Sequence, residues 1–295
     1  MEKPSGGARQ ESRVQAALFV TCLIDSFRPS AAFAAVRLLE EAGCAVEVPA
    51  PQTCCGQPAY NSGDRQTARE IAQLTIAAFE RFPVVVVPSG SCAGMLSKHY
   101  PLLFDPESEP SWHARASGFA SRVRELTAFL ADDLGVDFAG RAFPYRVAYH
   151  DSCSAVREAG VAAQPRKLLK SLDAIELAEM SEREVCCGFG GAFSIKYPDI
   201  SNAIVSQKVE RALETKADVL TGVDLGCLMN IAGKMARQGK AMDVRHIAEV
   251  LTGDFSEPGL CGPQRKAPAA FQESAPPETQ TQGTPRSCST RSRET

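Results

Sequence analysis

Short apolar runs alternate with longer amphipathic stretches along this chain. The runs "VVVV" at 84–87 and "RVAY" at 146–149 suit buried strands of a parallel sheet. Residues 30–42 place Phe33, Val36, Leu38 and Leu39 near helical spacing and stop at Gly43, a residue suited to a left-handed C-terminal cap. Residues 63–82 repeat the pattern with Ile71, Leu74, Ile76 and Phe79, and Asp64 can cap the start. Residues 119–134, with Val123, Leu126, Phe129 and Leu130, are expected to form a further helix. In the second half the helical stretches are 165–172, 199–215 and 225–238, followed by a short strand and helix in "MDVRHIAEVLTG". Strands alternating with helices predict βαβ units and parallel sheets, an α/β fold. In such folds ligands bind beyond the C-terminal ends of the strands.

The cysteines divide this pattern into two. One series is Cys22, Cys54, Cys55 and Cys92; the other is Cys153, Cys186, Cys187 and Cys227. Subtracting member from member gives offsets of 131, 132, 132 and 135. The contexts repeat as well: "ALFVTCLIDS" with "RVAYHDSCSA", "TCCGQP" with "VCCGFG", and "VVVVPSGSCAGM" with "DVLTGVDLGCLMN". This is the signature of a duplicated unit. The expected divisions are a first domain at 13–140, its pseudo-symmetric copy at 141–253, and a Pro-, Gln-, Ser- and Thr-rich tail at 254–295 that is expected to be disordered. Every cysteine of the two series lies just past an expected strand end, so each set should gather at one sheet edge. Cys44 reads as a small core residue, and Cys261 and Cys288, outside the repeat, as incidental thiols.

Composition narrows the chemistry. The 295 residues suffice for two ordinary domains, and 44% hydrophobic with 23% charged residues is the balance of a soluble globular protein. A net charge of −3 gives no basic surface for nucleic acid. No apolar run reaches the roughly 18 residues that cross a bilayer. The polar start "MEKPSGGARQESRVQ" lacks the apolar core of a secretory signal, so a cytoplasmic location is expected. Eleven cysteines in a reducing compartment suggest metal or redox chemistry rather than disulfides.

Three chemistries fit four such thiols. Soft thiolates suit iron–sulfur clusters, which commonly take four. Structural zinc also takes four cysteines, but usually from two C-x2-4-C knuckles, and two adjacent thiolates chelate one small ion with difficulty. A dithiol redox pair is the third, although adjacent cysteines close a strained ring. Other polar residues offer chemistry beside the cysteines. His150, three before Cys153, can ligate a metal, hydrogen-bond a sulfide or relay a proton, or be an ordinary loop histidine. Asp25 and Asp151 suit capping or proton handling. Lys196 and Tyr197 could meet a carboxylate or a partner, or only solvent, and His99 and His113 read as surface residues. "GFGG" at 188–191 lacks the spacing of a nucleotide loop.

The doubled pattern of a lone cysteine, Cys-Cys-Gly and a last cysteine resembles the CCG cysteine-rich domain family. That family includes a heterodisulfide reductase subunit and the iron–sulfur subunit of glycolate oxidase. The segments "VTCLIDSFRP", "TCCGQPAYNSG", "YHDSCS" and "CCGFGGAFSIKYPDIS" look like those of its lactate utilization protein A group. The resemblance covers roughly residues 15–252. It implies iron–sulfur clusters, of 4Fe-4S type, on the eight cysteines, and electron transfer in the oxidation of L-lactate to pyruvate. It also implies two partner proteins from the same operon, one ferredoxin-like. Thiol–disulfide reduction, a glycolate oxidase subunit and a zinc-stabilised scaffold are the rival readings. The chain departs from the heterodisulfide reductase relative, whose motifs end in C-x-x-C. Met95 and Asn230 stand where the fifth thiols would be. Met95 could offer a thioether or simply pack.

Overall fold

The computed structural model describes residues 13–263 and 265. The first half runs β1 (Gln15–Leu18), α1 (Cys22–Phe27), α2 (Pro29–Glu41), β2 (Ala45–Glu47), α3 (Gln57–Asn61), α4 (Arg65–Phe79), β3 (Val84–Val87), α5 (Gly90–Gly94), α6 (Pro110–Ala120), β4 (Val123–Glu125) and α7 (Leu126–Ala128). The second half runs β5 (Arg146–His150), α8 (Cys153–Arg157), α9 (Gln164–Lys170), β6 (Glu176–Ala178), α10 (Ala192–Lys196), α11 (Pro198–Glu214), β7 (Val219–Gly222), α12 (Leu225–Arg237), β8 (Asp243–His246) and α13 (Ile247–Thr252). Each half contains one four-stranded sheet, ordered β2-β1-β3-β4 and β6-β5-β7-β8, with every pairing parallel. The α/β fold with two pseudo-symmetric sheets is therefore as expected.

The registers set the strands of the two halves in correspondence. Leu18 pairs with Val86 as Tyr149 pairs with Thr221. Phe19 and His150, one residue further on, are thus equivalent positions. On α4 the buried residues are Ala68, Ala72, Thr75, Ile76 and Phe79; on α11 they are Ser201, Val205, Lys208, Val209 and Ala212. The same helical stripe faces each sheet, and Thr75 corresponds to Lys208.

Local signals behave as their chemistry dictates. Asp64 accepts from the backbone N–H of Thr67 and starts α4. Gly43, at φ 85°, follows the end of α2 in the left-handed region that a side chain disfavours. One expectation is corrected. Residues 119–134 are not one helix: α6 ends at Ala120, and Val123 lies in β4, paired with Val85. Val123, Leu126, Phe129 and Leu130 are all buried, so a three-residue strand followed by a helix imitates a single helical stripe. Phe33 and Leu74, counted on the helical faces, are instead 73% and 62% exposed.

The two sheets share one core. A single buried cluster joins Leu18, Val86 and Leu126 of the first half to Tyr149, Val219 and Ile247 of the second. Across the seam, Arg28 Nε meets Glu249 Oε1 at 2.8 Å, both buried, and Ser30 Oγ donates to the same carboxylate. Asp224 accepts from Ser89 Oγ at 2.6 Å and from Ser91 N at 3.0 Å. Ser89 and Asp224 are themselves equivalent, each three residues before the last cysteine of its set, so the pseudo-symmetry axis passes between them. Gly90 permits this approach, because a Cβ there would lie 2.3 Å from that of Ala155.

The ordered chain continues past Gly253. Phe255 is buried against Phe143, and Leu260 N donates to Val244 O alongside β8. The first ten residues assigned to the tail thus belong to the second half. The rest of that assignment, with Cys288, lies outside the described residues apart from Arg265. Among the described residues no helix is long and apolar enough to cross a membrane.

Candidate metal centres

Topology brings three loops of each half to one sheet edge. Cys22 opens α1 just beyond β1, Cys54 and Cys55 sit in the loop beyond β2, and Cys92 lies in α5 beyond β3. Cys153 opens α8, Cys186 and Cys187 follow β6, and Cys227 lies in the first turn of α12. The thiols touch in series. Cys22 hydrogen-bonds Cys54, Cys54 bonds Cys55, and Cys55 bonds Cys92. The second set runs Cys153, Cys186, Cys187, Cys227 in the same way. All eight candidate cysteines are therefore gathered, four to a site, as free thiols. Cys44 is outside both sites and buried in the core, as expected.

Four thiols in contact compete for charge. The hydrogen bond from Cys22, then that from Cys55, lowers the Cys54 thiol to about 3, while its neighbours Cys22 and Cys55 are pushed far up as donors to it. A metal cation relieves this competition by letting every thiol ionise.

The glycine after each pair has a conformational reason. Gly56 and Gly188 have φ of 83° and 79°. At Gly188 a Cβ would also lie 2.7 Å from the carbonyl oxygen of Ser201, so only glycine lets the loop pack onto α11. The turn aims backbone donors at sulfur: Gly188 N at Cys186 Sγ, 3.3 Å, and Phe189 N at Cys187 Sγ, 3.5 Å. Such donors stabilise thiolate charge. Each pair is anchored by a side chain from the helical segment that carries the last cysteine of its set. Tyr100 Oη donates to Cys55 O at 3.0 Å, and Asn230 Nδ2 donates to Cys187 O at 2.9 Å. Met95 is fully buried in the apolar cluster with Phe79 and Leu96, a packing role.

The second site has polar neighbours that the first lacks. The His150 ring is buried, with neither nitrogen hydrogen-bonded. Its ligand atom and those of Cys187 and Cys227 lie within 4.8 Å of one another. Burial, with Lys208 nearby, holds this imidazole neutral, its pKa lowered to about 3. Lys208 is buried on α11, with Nζ donating to Arg183 O at 2.9 Å. Asp151 is neither a cap nor free, because Arg166 grips both its oxygens at 2.7 Å. A cavity of about 410 Å³ beside Cys153 is lined by Arg157, Arg166 and Arg183.

Other candidates stand apart. Asp25 is exposed in the first turn of α1, and Lys196 and Tyr197 are exposed at the end of α10. His99 and His113 are half-buried rather than on the surface. His99 packs at a tilt against Tyr60, ring centroids 4.7 Å apart, and faces Glu158, and His113 Nδ1 meets Phe104 O. The sequence reading passed over Lys208, Tyr100 and Asp224. For Lys208 a signal existed: it sits on the apolar stripe formed by Val205, Val209 and Ala212.

Soft sulfur donors, backbone N–H groups on the sulfurs, a buried cation and an unpartnered buried imidazole together fit a thiolate-bound, anionic metal group, as an iron–sulfur cluster is. Comparison with known proteins gives the family. The family model described as the CCG cysteine-rich domain matches twice, at residues 16–97 and 147–232. "Lactate utilization protein A" of Oceanobacillus iheyensis is 48% identical over 238 residues, covering 81% of this chain and 96% of that protein. Its namesake in Geobacillus sp. is 47% identical, covering 81% and 99%, and that in Bacillus velezensis 44%, covering 81% and 99%. Among solved structures, a hypothetical protein from Helicobacter pylori shares the fold, with TM-score 0.57 and 10% identity over 83% of this chain and 49% of that one. With both halves matched and relatives aligned along most of its length, this chain belongs to the CCG cysteine-rich domain family, in the lactate utilization protein A group.

Proposed function

We propose that this chain is the iron–sulfur electron-transfer subunit of a multi-protein system that oxidises L-lactate to pyruvate. The observation that carries the electron-transfer part is the gathering of eight cysteines into two four-thiol sites. The lactate part is supported by the name its relatives carry. In this reading Cys22, Cys54, Cys55 and Cys92 hold one cluster of 4Fe-4S type, and Cys153, Cys186, Cys187 and Cys227 hold another.

An iron–sulfur cluster supplies one-electron transfer at a potential set by ligands, burial and hydrogen bonds. The chain's own residues do the rest. Buried Cys55, Cys92, Cys187 and Cys227 form the dry inner wall of each site, while Cys22 is exposed and Cys153 half-buried. Each site therefore has one edge near solvent, where a redox partner can approach. The backbone N–H groups of Gly188 and Phe189 oppose the negative charge of Cys186 and Cys187. The expected partners are two proteins of the same operon, one ferredoxin-like, and the expected location is the cytoplasm.

The test is a deletion strain grown on L-lactate. Growth should be lost on deletion, restored by the wild-type gene, and not restored by a Cys55→Ser, Cys187→Ser double variant. Unimpaired growth of the deletion strain on L-lactate would overturn the lactate assignment. Purified protein with zinc and no acid-labile sulfide would overturn the cluster assignment.

A further inference from the structure

The two sites differ in one donor that the cysteine pattern does not record. In the first half the strand leads into Phe19, a ring packed on Phe79 in the apolar core, with centroids 5.5 Å apart. The equivalent residue of the second half is His150, on the last rung of β5 opposite Gly222. A buried polar ring ordinarily finds a hydrogen-bond partner, because leaving it bare forfeits its interactions with water. His246 follows that rule, with Nε2 held 3.1 Å from both Pro88 O and Val223 O. His150 does not: its ring is 1% exposed and neither nitrogen has a hydrogen-bond partner.

Its surroundings explain what the ring is for. The ligand atoms of His150, Cys187 and Cys227 lie within 4.8 Å of one another, with all three residues buried. That is the spread of donors around a common centre rather than around each other. Gly222 keeps this wall open, since a Cβ there would stand 3.2 Å from His150 O and 3.5 Å from His150 Cβ. Neither Lys208, which donates to Arg183 O, nor Asp151, which is taken by Arg166, offers the ring a hydrogen bond.

We propose that His150 supplies a nitrogen ligand to the metal group held by Cys153, Cys186, Cys187 and Cys227, a fifth donor beyond the four terminal positions of a cubane, giving the second site a mixed sulfur–nitrogen shell and a core other than a simple cubane where the first is all sulfur. This rests on the reading of the sites as iron–sulfur centres. Imidazole is a good ligand for iron and zinc, and its neutral form adds no charge beside the thiolates. The two centres of one chain then differ in kind, although their cysteines are laid out alike.

The experiment is pulsed EPR on the anaerobically purified, partially reduced full chain, grown with natural-abundance or 15N-labelled histidine. Iron and acid-labile sulfide are measured on the same samples. The expected result is a strong 14N hyperfine coupling on one centre, converted to a 15N pattern by labelling. It should be lost in His150→Phe and retained in Phe19→Leu, and the first centre should be unchanged throughout. If His150→Phe does not fold, His150→Gln serves as the second variant. Sulfide-containing protein with no strong nitrogen coupling overturns the ligand proposal and leaves the iron–sulfur reading standing. Folded protein without acid-labile sulfide overturns both.

Discussion

The two halves place their thiols alike and surround them differently. Each sheet delivers a cysteine from one loop, a pair from the next and a fourth from a helix, and each pair is tied down through the carbonyl of its second member. Around that frame the first half sets Phe19 and Thr75, and the second sets His150 and Lys208. Duplication thus preserved the donor geometry, which depends on backbone register, while the electrostatic environment diverged through single side chains. A buried ammonium beside thiolates favours the reduced, more negative state of whatever they hold, so the second site should be the easier to reduce.

The comparison breaks most completely at the ligands. Cys187→Ser should remove the iron of the second site and spare that of the first, with Cys55→Ser doing the reverse. Metal analysis of the two variants checks this independence. Next in size is the seam. Arg28→Ala leaves Glu249 buried without its ion partner and should cost about 3–5 kcal/mol, read as a lowered midpoint in denaturant for both halves together. Lys208→Met should shift the reduction potential of the second centre downward by on the order of tens of millivolts and leave the first in place, which a redox titration followed by EPR resolves.

The halves also predict opposite pH responses. The final short helix of each is capped by a buried side chain: Glu125 accepts from Thr127 N and Ala128 N, and His246 Nδ1 accepts from Ala248 N. Burial raises Glu125 from 4.5 to about 7, so its contribution to stability is present below 4.5 and fades as pH rises toward 7. Burial lowers His246 below 6.5, so its contribution is present above 6.5 and fades on acidification. Glu125→Gln should flatten the loss of stability between pH 4.5 and 7, measured by thermal unfolding across that range. The smallest expected effects are those of Tyr100→Phe and Asn230→Ala. Each removes one hydrogen bond to the carbonyl of a cysteine pair and should cost about 1 kcal/mol in its own half.

Much of the sites could be read from sequence, because the four offsets of the cysteines encode a repeat and strand ends in parallel sheets converge. The fold followed from the same alternation, except where β4 was too short to show its own period and Val123 passed for a helical residue. What stayed hidden were residues whose meaning comes from burial. Lys208 sits on an apolar stripe, but what it faces shows only once α11 is placed against the sheet. Asp224 has its oxygens taken by Ser89 and Ser91 of the other half, and such contacts between halves leave no local pattern. The chain from 254 to 263 has the polar composition of a tail, but Phe255 is buried in the shared core and Leu260 packs on the second half, and these few apolar contacts pin it.

On the proposed reading, one chain carries two iron–sulfur centres of unlike environment. EPR of the anaerobic protein during a stepwise reduction, with iron and acid-labile sulfide counted on the same sample, tests it directly. Two distinguishable signals should appear at different potentials, the one altered by Lys208→Met appearing first. A protein that contains zinc without sulfide, or two signals that titrate together and are both indifferent to Lys208, would contradict it.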